Sequence, residues 1–281
     1  MLIGSHVSAA KGVQNAPINA AKVGAEVFQF FSRSPQGGKA PELTPDIVKK
    51  FKANCKKHKQ KEWYIHSPYY INLASSNNRI RYGSIAVLRL ELERGTTLGA
   101  KYMMAHMGSA KDVGEVKATK KVISGINQIL DGYKGSCMFL IEISAGAGKI
   151  IGNDFKEIAK IIKGVKKPIG VCFDTCHAFA SGYDLRNQAA LKKTLKDFDK
   201  TIGIDKLKLI HANDSKTELG AHRDRHEHIG KGKIGKAGFW AILHEPKLKK
   251  INLIIETPKT TDKDDPRNIK LLKKLQTQKK P

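Results

Sequence analysis

The sequence predicts an α/β protein, a closed parallel (β/α)8 barrel of the TIM type. Three observations predict it. Short apolar, β-prone segments alternate with stretches of helical period along the whole chain. Six of those segments lead directly into a residue that can bind metal: His66, His106, Glu142, Asp174, His211 and Glu256. Successive members of this set are 40, 36, 32, 37 and 45 residues apart, the length of one strand, one helix and two loops. In a closed barrel such strand ends converge on one mouth, where enzymes of this architecture keep their chemistry. A chain of 281 residues suits one barrel, so 1–281 reads as a single domain.

The elements follow in order. Leu2 to Val7 reads as the first strand, with a helix near Ala16 to Val23. Glu26 to Phe31 is the second strand. Its helix spans about Thr44 to His58, with Thr44 as N-cap, Pro45 at the first helical position and Asp46 in the first turn. The third strand ends at His66, and the next helix, about Arg79 to Leu98, aligns Ile85, Leu88 and Leu92 on one face. The fourth strand ends near His106, before a helix from Lys117 to Leu130. The fifth ends at Glu142, before a helix around Asp154 to Ile162. The sixth ends at Asp174, before a helix from Gln188 to Thr201. The seventh ends at His211, before a helix near Lys236 to Leu243. The eighth ends at Glu256, and a last helix covers about Pro266 to Leu275. Residues 273–281 read as a basic, frayed tail.

Composition narrows the function. Lys and Arg number 51 against 26 Asp and Glu, a net charge of +25 that favours a polyanionic partner, most commonly nucleic acid. No run of about 18 apolar residues occurs, so no membrane span is expected. The start, Met1-Leu2-Ile3-Gly4-Ser5-His6, lacks the features of a secretion signal. An intracellular, soluble protein is expected, in the cytoplasm or whichever compartment holds its polyanion. The four cysteines, Cys55, Cys137, Cys172 and Cys176, are sparse and fit a reducing compartment. Cys172 and Cys176 flank Asp174 and read as buried small hydrophobes beside the site.

The candidate site residues carry the chemistry. His177 stands three residues after Asp174, a spacing that turns both side chains into one cavity. Asp224 and His226 are two apart, so an extended backbone projects both to the same side, where they can chelate one ion. His222 and His228 share that loop without an assigned role. Carboxylates after apolar strands are costly unless paired with cations or donors, and several at one mouth repel one another unless metal neutralises them. The ligand count exceeds what one zinc needs, which points to a multinuclear centre. Tyr69 and Tyr70, in a loop just past His66, suit contacts with nucleobases.

Several blocks in this order resemble the endonuclease IV family of apurinic/apyrimidinic endonucleases: Gly4 to Ala10, His66 with Tyr69 to Leu73, Gly170 to Asp184, His211 to Lys216, and Asp224 to Gly230. The likeness covers essentially the whole chain. It implies a xylose-isomerase-like barrel holding three zinc ions, although manganese would also accept such ligands. His66, His106 and Glu142 would hold the first ion. Glu142 would bridge to a second, held with Asp174, His211 and Glu256. His177, Asp224 and His226 would hold the third. Glu142, Asp174, His211 and Glu256 would then form the catalytic group. The implied reaction is hydroxide attack on the phosphodiester 5′ to an abasic site in duplex DNA, leaving a 3′-hydroxyl, with trimming of blocked 3′ ends. A monomer is expected, with duplex DNA carrying abasic or 3′-blocked lesions as its partner.

One departure concerns the loop Ser32 to Lys39. Members of the family tend to carry an Arg and a bulky aromatic about where Gln36 and Gly38 fall, so this loop reads as small and flexible, with Arg33, Gln36 and Lys39 as its DNA contacts. Two rival readings remain: a sugar isomerase or epimerase of the same barrel group, and a noncatalytic DNA-binding protein. The Asp224-x-His226 pair and the charge favour DNA, and the intact ligand set argues for an enzyme.

Overall fold

Side chains of a strand alternate between its two faces, so residues two apart share one. A computed structural model, describing residues 1–279, shows what this alternation builds. Eight strands form a closed, all-parallel barrel: β1 (Ile3–His6), β2 (Val27–Phe30), β3 (Trp63–His66), β4 (Tyr102–Ala105), β5 (Met138–Glu142), β6 (Gly170–Asp174), β7 (Leu207–His211) and β10 (Asn252–Ile255). They pair in chain order, and β10 closes onto β1. A plug of Val27, Tyr64, Met104, Leu140, Cys172, Leu209 and Ile254 fills the interior. Each plug residue lies two positions before a polar residue: Gln29, His66, His106, Glu142, Asp174, His211 and Glu256. The plug is thus one layer of the barrel and the polar set the layer above it, at the C-terminal mouth. In β1 the plug layer is occupied by Gly4, because a Cβ there would come within 1.7 Å of the Val27 carbonyl oxygen.

Helices wrap the barrel: α1 (Ala16–Lys22), α2 (Pro45–Lys57), α3 (Asn78–Leu98), α4 (Glu115–Leu130), α5 (Phe155–Gly164), α7 (Gln188–Thr201), α8 (Gly235–His244) and α9 (Asp264–Thr277). Their apolar stripes and the outward strand residues form the larger core. The starts are capped as their sequences dictate. Thr44 accepts from the Ile47 amide, Asn77 from Arg79 and Ile80, and Asp154 from Lys156 and Glu157.

Three short elements were not expected. A short helix, α6 (Thr175–Ala180), starts directly on Asp174. Two-residue strands β8 (Asp214–Ser215) and β9 (His226–Glu227) pair antiparallel in the excursion between β7 and α8. The end of the chain also differs from the expected tail. Residues 273–277 are the last turns of α9, held by buried Leu275 and by the Gln276 amide donating to the Met1 carbonyl. The remainder of the expected tail includes 280–281, which lie outside the described residues. No helix among the described residues is long and apolar enough to cross a membrane.

Candidate metal centre

The mouth layer brings the predicted ligands together. Glu142, fully buried at the end of β5, is the hub: its Oε2 lies 2.9 Å from His66 Nε2 and 3.5 Å from His106 Nε2, and its Oε1 lies 2.9 Å from His211 Nδ1. His211 Nδ1 is also 3.1 Å from Glu256 Oε2 and 3.9 Å from Asp174 Oδ2. The third group sits to one side. His177 Nε2, His226 Nε2 and Asp224 Oδ1 are 3.2–3.3 Å from one another, and His226 Nε2 is 3.7 Å from Asp174. All nine predicted positions therefore fall in one contiguous cluster.

Local folding explains the third group. Asp174 caps α6 by accepting from the His177 amide at 2.8 Å, so one helical turn carries His177 back over the mouth. Asp224 and His226 arrive on the β8–β9 excursion. Its backbone closes around Asp214, whose carboxylate accepts from the amides of Ser215, Gly230, Gly232, Ile234 and Gly235. Gly232 permits this closure, since a Cβ there would meet the Ser215 carbonyl oxygen at 2.4 Å.

Four histidines share one arrangement: one ring nitrogen donates to an oxygen and the other faces the cluster. His66 Nδ1 donates to the Ser67 carbonyl (2.7 Å), His177 Nδ1 to Ile143 (2.9 Å), His226 Nδ1 to Glu256 (3.1 Å), and His211 Nε2 to the Gln29 side-chain oxygen (2.8 Å). Such outer bonds fix ring orientation and leave the inner nitrogen free as a donor. His106 lacks one; its Nδ1 is buried without a partner.

The electrostatics are those of a self-neutralised cluster. Burial alone would raise the Glu142 carboxyl, but His106, His211 and His66 outweigh it and hold the pKa well below the ordinary value. Glu256 is likewise lowered against burial, chiefly by His211 and also by His6. Burial would lower His177, yet Asp174, Asp224 and Glu142 push it up to about 10; His226 is pushed to about 9, mainly by Asp174 and Asp224. Among the described residues, the ion pairs of Glu142, Asp174 and Glu256 are all with imidazoles, never with Lys or Arg. Donors bound to one tetrahedral cation at about 2.1 Å lie roughly 3.4 Å apart, within the 2.9–3.9 Å spread here, so the donor set fits divalent metal.

The other candidates are placed differently. Tyr69 is strongly exposed, its ring 5.1 Å from Phe31, and Tyr70 is partly exposed. Gln36 and Lys39 are exposed, whereas half-buried Arg33 donates from Nη2 to the Gly38 carbonyl of its own loop. Arg94 of α3 holds the flanks of that loop, bonding the carbonyls of Ser32 and Pro41. Cys172 belongs to the plug, with its thiol pushed by burial to about 12. Cys176 is buried, and burial raises its thiol too, although it lies near Asp224 and His226. His222 lines a separate cavity, and His228 Nδ1 faces the Asn268 amide at 3.1 Å.

Sequence reasoning missed three mouth residues. Gln29 donates to Glu256 Oε1 at 2.7 Å, His6 Nδ1 lies 3.2 Å from the same oxygen, and Asn213 donates to Asp174 at 2.6 Å while accepting from the Glu256 amide. A signal for Gln29 was present: it is the one polar residue in Val27-Phe28-Gln29-Phe30, two after a plug position.

A barrel with this mouth has counterparts among known proteins. A family model described as xylose isomerase-like TIM barrel matches residues 18–275. A probable endonuclease 4 of Halothermothrix orenii is 41% identical over 94% of this chain and 96% of its own. One of Nitrosopumilus maritimus is 41% identical over 98% of this chain and all of its own. The crystal structure of endonuclease IV from Thermus thermophilus superposes with a TM-score of 0.87 at 31% identity, covering 98% of both chains. Fold and mouth thus define an enzyme of the xylose isomerase-like barrel class. Within that class, the chain belongs to the endonuclease IV family.

Proposed function

We propose that the chain is a DNA-repair endonuclease that cuts the phosphodiester 5′ to an abasic site in duplex DNA, leaves a 3′-hydroxyl and trims blocked 3′ ends. The observation that carries this reading is the nine-donor cluster at the mouth of a chain about 40% identical to probable endonucleases 4. His66, His106 and Glu142 would hold one cation. Glu142, Asp174, His211 and Glu256 would hold a second, and His177, Asp224 and His226 a third, with zinc the best match to mixed imidazole and carboxylate donors and manganese tolerated. When bound, such cations acidify water to near-neutral pKa and neutralise charge on a phosphate and its leaving oxygen. The protein supplies the rest. Glu142 and Glu256 are kept ionised by the surrounding imidazoles, which suits them to act as ligands rather than as general acids. Gln29, Asn213 and the backbone carbonyls hold the imidazoles and carboxylates in place. Exposed Tyr69 and Tyr70, together with Arg33, Gln36 and Lys39 of the neighbouring loop, would meet the duplex, a reading supported by the approach of Gly37 in that loop to the Tyr70 ring. Extrusion of the lesion costs least where a base is already missing. A sugar isomerase explains neither the third donor group nor the charge of +25.

The test is cleavage of a duplex oligonucleotide carrying one abasic analogue. Glu142→Ala is expected to lower incision on the order of 10³-fold by removing the hub donor, with circular dichroism unchanged because the outer core does not involve it. Full activity in that variant, or products cut 3′ to the lesion by the native protein, would overturn the reading.

A further inference from the structure

We infer that Arg94 and Glu91, a buried pair on α3 outside the metal centre, are positioning residues that clasp the β2–α2 loop at its base and so set Phe31 and the loop's DNA-facing residues beside the mouth. The inference rests on the endonuclease reading above and assigns that site a remote support.

Arg94 is nearly buried and spends its donors on one loop: Nε on Ser32 Oγ (2.7 Å), Nη2 on the Ser32 carbonyl (2.6 Å) and Nη1 on the Pro41 carbonyl (2.6 Å). One guanidinium thus ties residue 32 to residue 41. Glu91, fully buried, accepts the Ser32 hydroxyl at 2.6 Å through Oε2 and lies 3.8 Å from Arg94 Nε through Oε1, which has no hydrogen-bond partner. A buried ion pair adds little net stability compared with well-packed apolar side chains, so stability alone does not account for this one. α3 buries Leu88, Leu92 and Leu98 on the same side, and an apolar pair at 91 and 94 would extend that packing. What an apolar pair does not supply is a two-point hold on a loop, for which the planar, five-donor guanidinium is suited.

The consequence reaches the mouth through Phe31, the residue before Ser32. Its ring centroid is 4.4 Å from that of His6, 5.5 Å from His66 and 5.1 Å from Tyr69. Inside the clasp, Arg33 braces the loop by donating to the Gly38 carbonyl, and a Cβ added at Gly37 would lie 3.8 Å from the Tyr70 ring. Phe31, Ser32, Arg33 and Arg94 also line a cavity of about 840 Å³ that opens next to His6. Loosening the clasp therefore shifts substrate-facing groups while leaving all nine donor side chains in the sequence, with Phe31 meeting one of them, His66, only through its ring.

The experiment compares the native protein with Arg94→Lys, Ser32→Ala and the double variant Glu91→Leu/Arg94→Met. The double variant is chosen to keep the core packed. Three quantities are read: the rate of first tryptic cuts after Arg33 and Lys39 by mass spectrometry, KM and kcat on the abasic duplex, and bound metal. All three variants are expected to be nicked faster in this loop, with KM raised about tenfold, kcat within about twofold and metal content unchanged. The double variant should show the KM rise while retaining its melting temperature, which a purely structural role would not produce. Unchanged KM in all variants, or a fall in kcat that tracks lost metal, overturns the inference. Should the native protein fail to cut the abasic duplex, the endonuclease reading fails by itself; the proteolysis arm still decides the clasp, with nicking rates equal to native overturning it.

Discussion

Gln29 holds three residues at once: its amide nitrogen donates to Glu256 and lies 2.9 Å from His6 Nδ1, and its oxygen takes the Nε2 proton of His211. That last bond fixes the tautomer of a fully buried imidazole and leaves Nδ1 facing Glu142 and Glu256. Gln29→Leu is expected to keep the fold and weaken metal retention about 10- to 100-fold, measured by competition with a chelator, as is usual when an outer partner of a ligand is lost. Retention equal to native would show that the ring is held by packing alone. The same residues make metal and protons competitors. Without metal, His177 and His226 titrate near 10 and 9, against about 6.5 in an unfolded chain. A His raised in the folded state contributes stability that is full below the unfolded value and lost as pH climbs through the folded one. Chelator-treated protein should therefore lose melting temperature between about pH 7 and about pH 10, while metal-loaded protein should change less. Parallel melting curves for the two forms would refute the coupling.

Asp214 does for the β8–β9 excursion what Gln29 does for one ring. Its buried carboxylate accepts from the amides of Gly230, Gly232, Ile234 and Gly235, and this closure delivers Asp224 and His226 to the centre. Asp214→Ala would strand those donors, at a cost of roughly 3 kcal/mol or more. The expected outcome is a lower melting temperature together with loss of the metal that the proposed His177, Asp224 and His226 site would hold. Full metal content in a folded Asp214→Ala protein would mean the excursion is held some other way. The sequence made this arrangement only partly legible. Strand ends at Glu142, Asp174 and His211 could be read because each apolar run stops on a polar residue, two past a plug position. His6 and Gln29 occupy the same layer in β1 and β2, yet were passed over because neither is an acid or histidine spaced at the β/α interval from the next ligand. The role of Asp214, which lies within the His211 to Lys216 block, is not legible in the sequence, since five backbone amides from residues 215–235 leave no mark in composition. The 273–277 segment looked like a tail because its lysines are frequent, while Leu275, which anchors it, is one residue.

Charge acts on the molecule as a whole. The net +25 understates the solvated surface, because Glu91, Glu142, Asp174, Asp214, Glu245, Asp264 and Asp265 are buried while the buried cations among the described residues are Arg81 and Arg94. Exposed pairs such as Lys50–Asp46 neutralise little of the remainder and are each worth about 0–1 kcal/mol. The excess positive charge is thus carried by solvated Lys and Arg side chains, which attract a polyanion, whereas the mouth itself is a neutralised cluster of imidazoles and carboxylates. These two features separate binding from chemistry. Phosphate contacts release counterions on binding, so affinity for duplex DNA should fall about 10³-fold or more between about 50 and 200 mM salt if six or more phosphates are engaged. Incision from the bound complex draws on buried groups, which salt screens far less. Rate measurements at saturating duplex are therefore expected to show kcat nearly constant over a salt range in which KM climbs steeply. If kcat falls in step with affinity, the positive exterior and the buried centre are not independent, and the lysine excess has a part in the cleavage step itself.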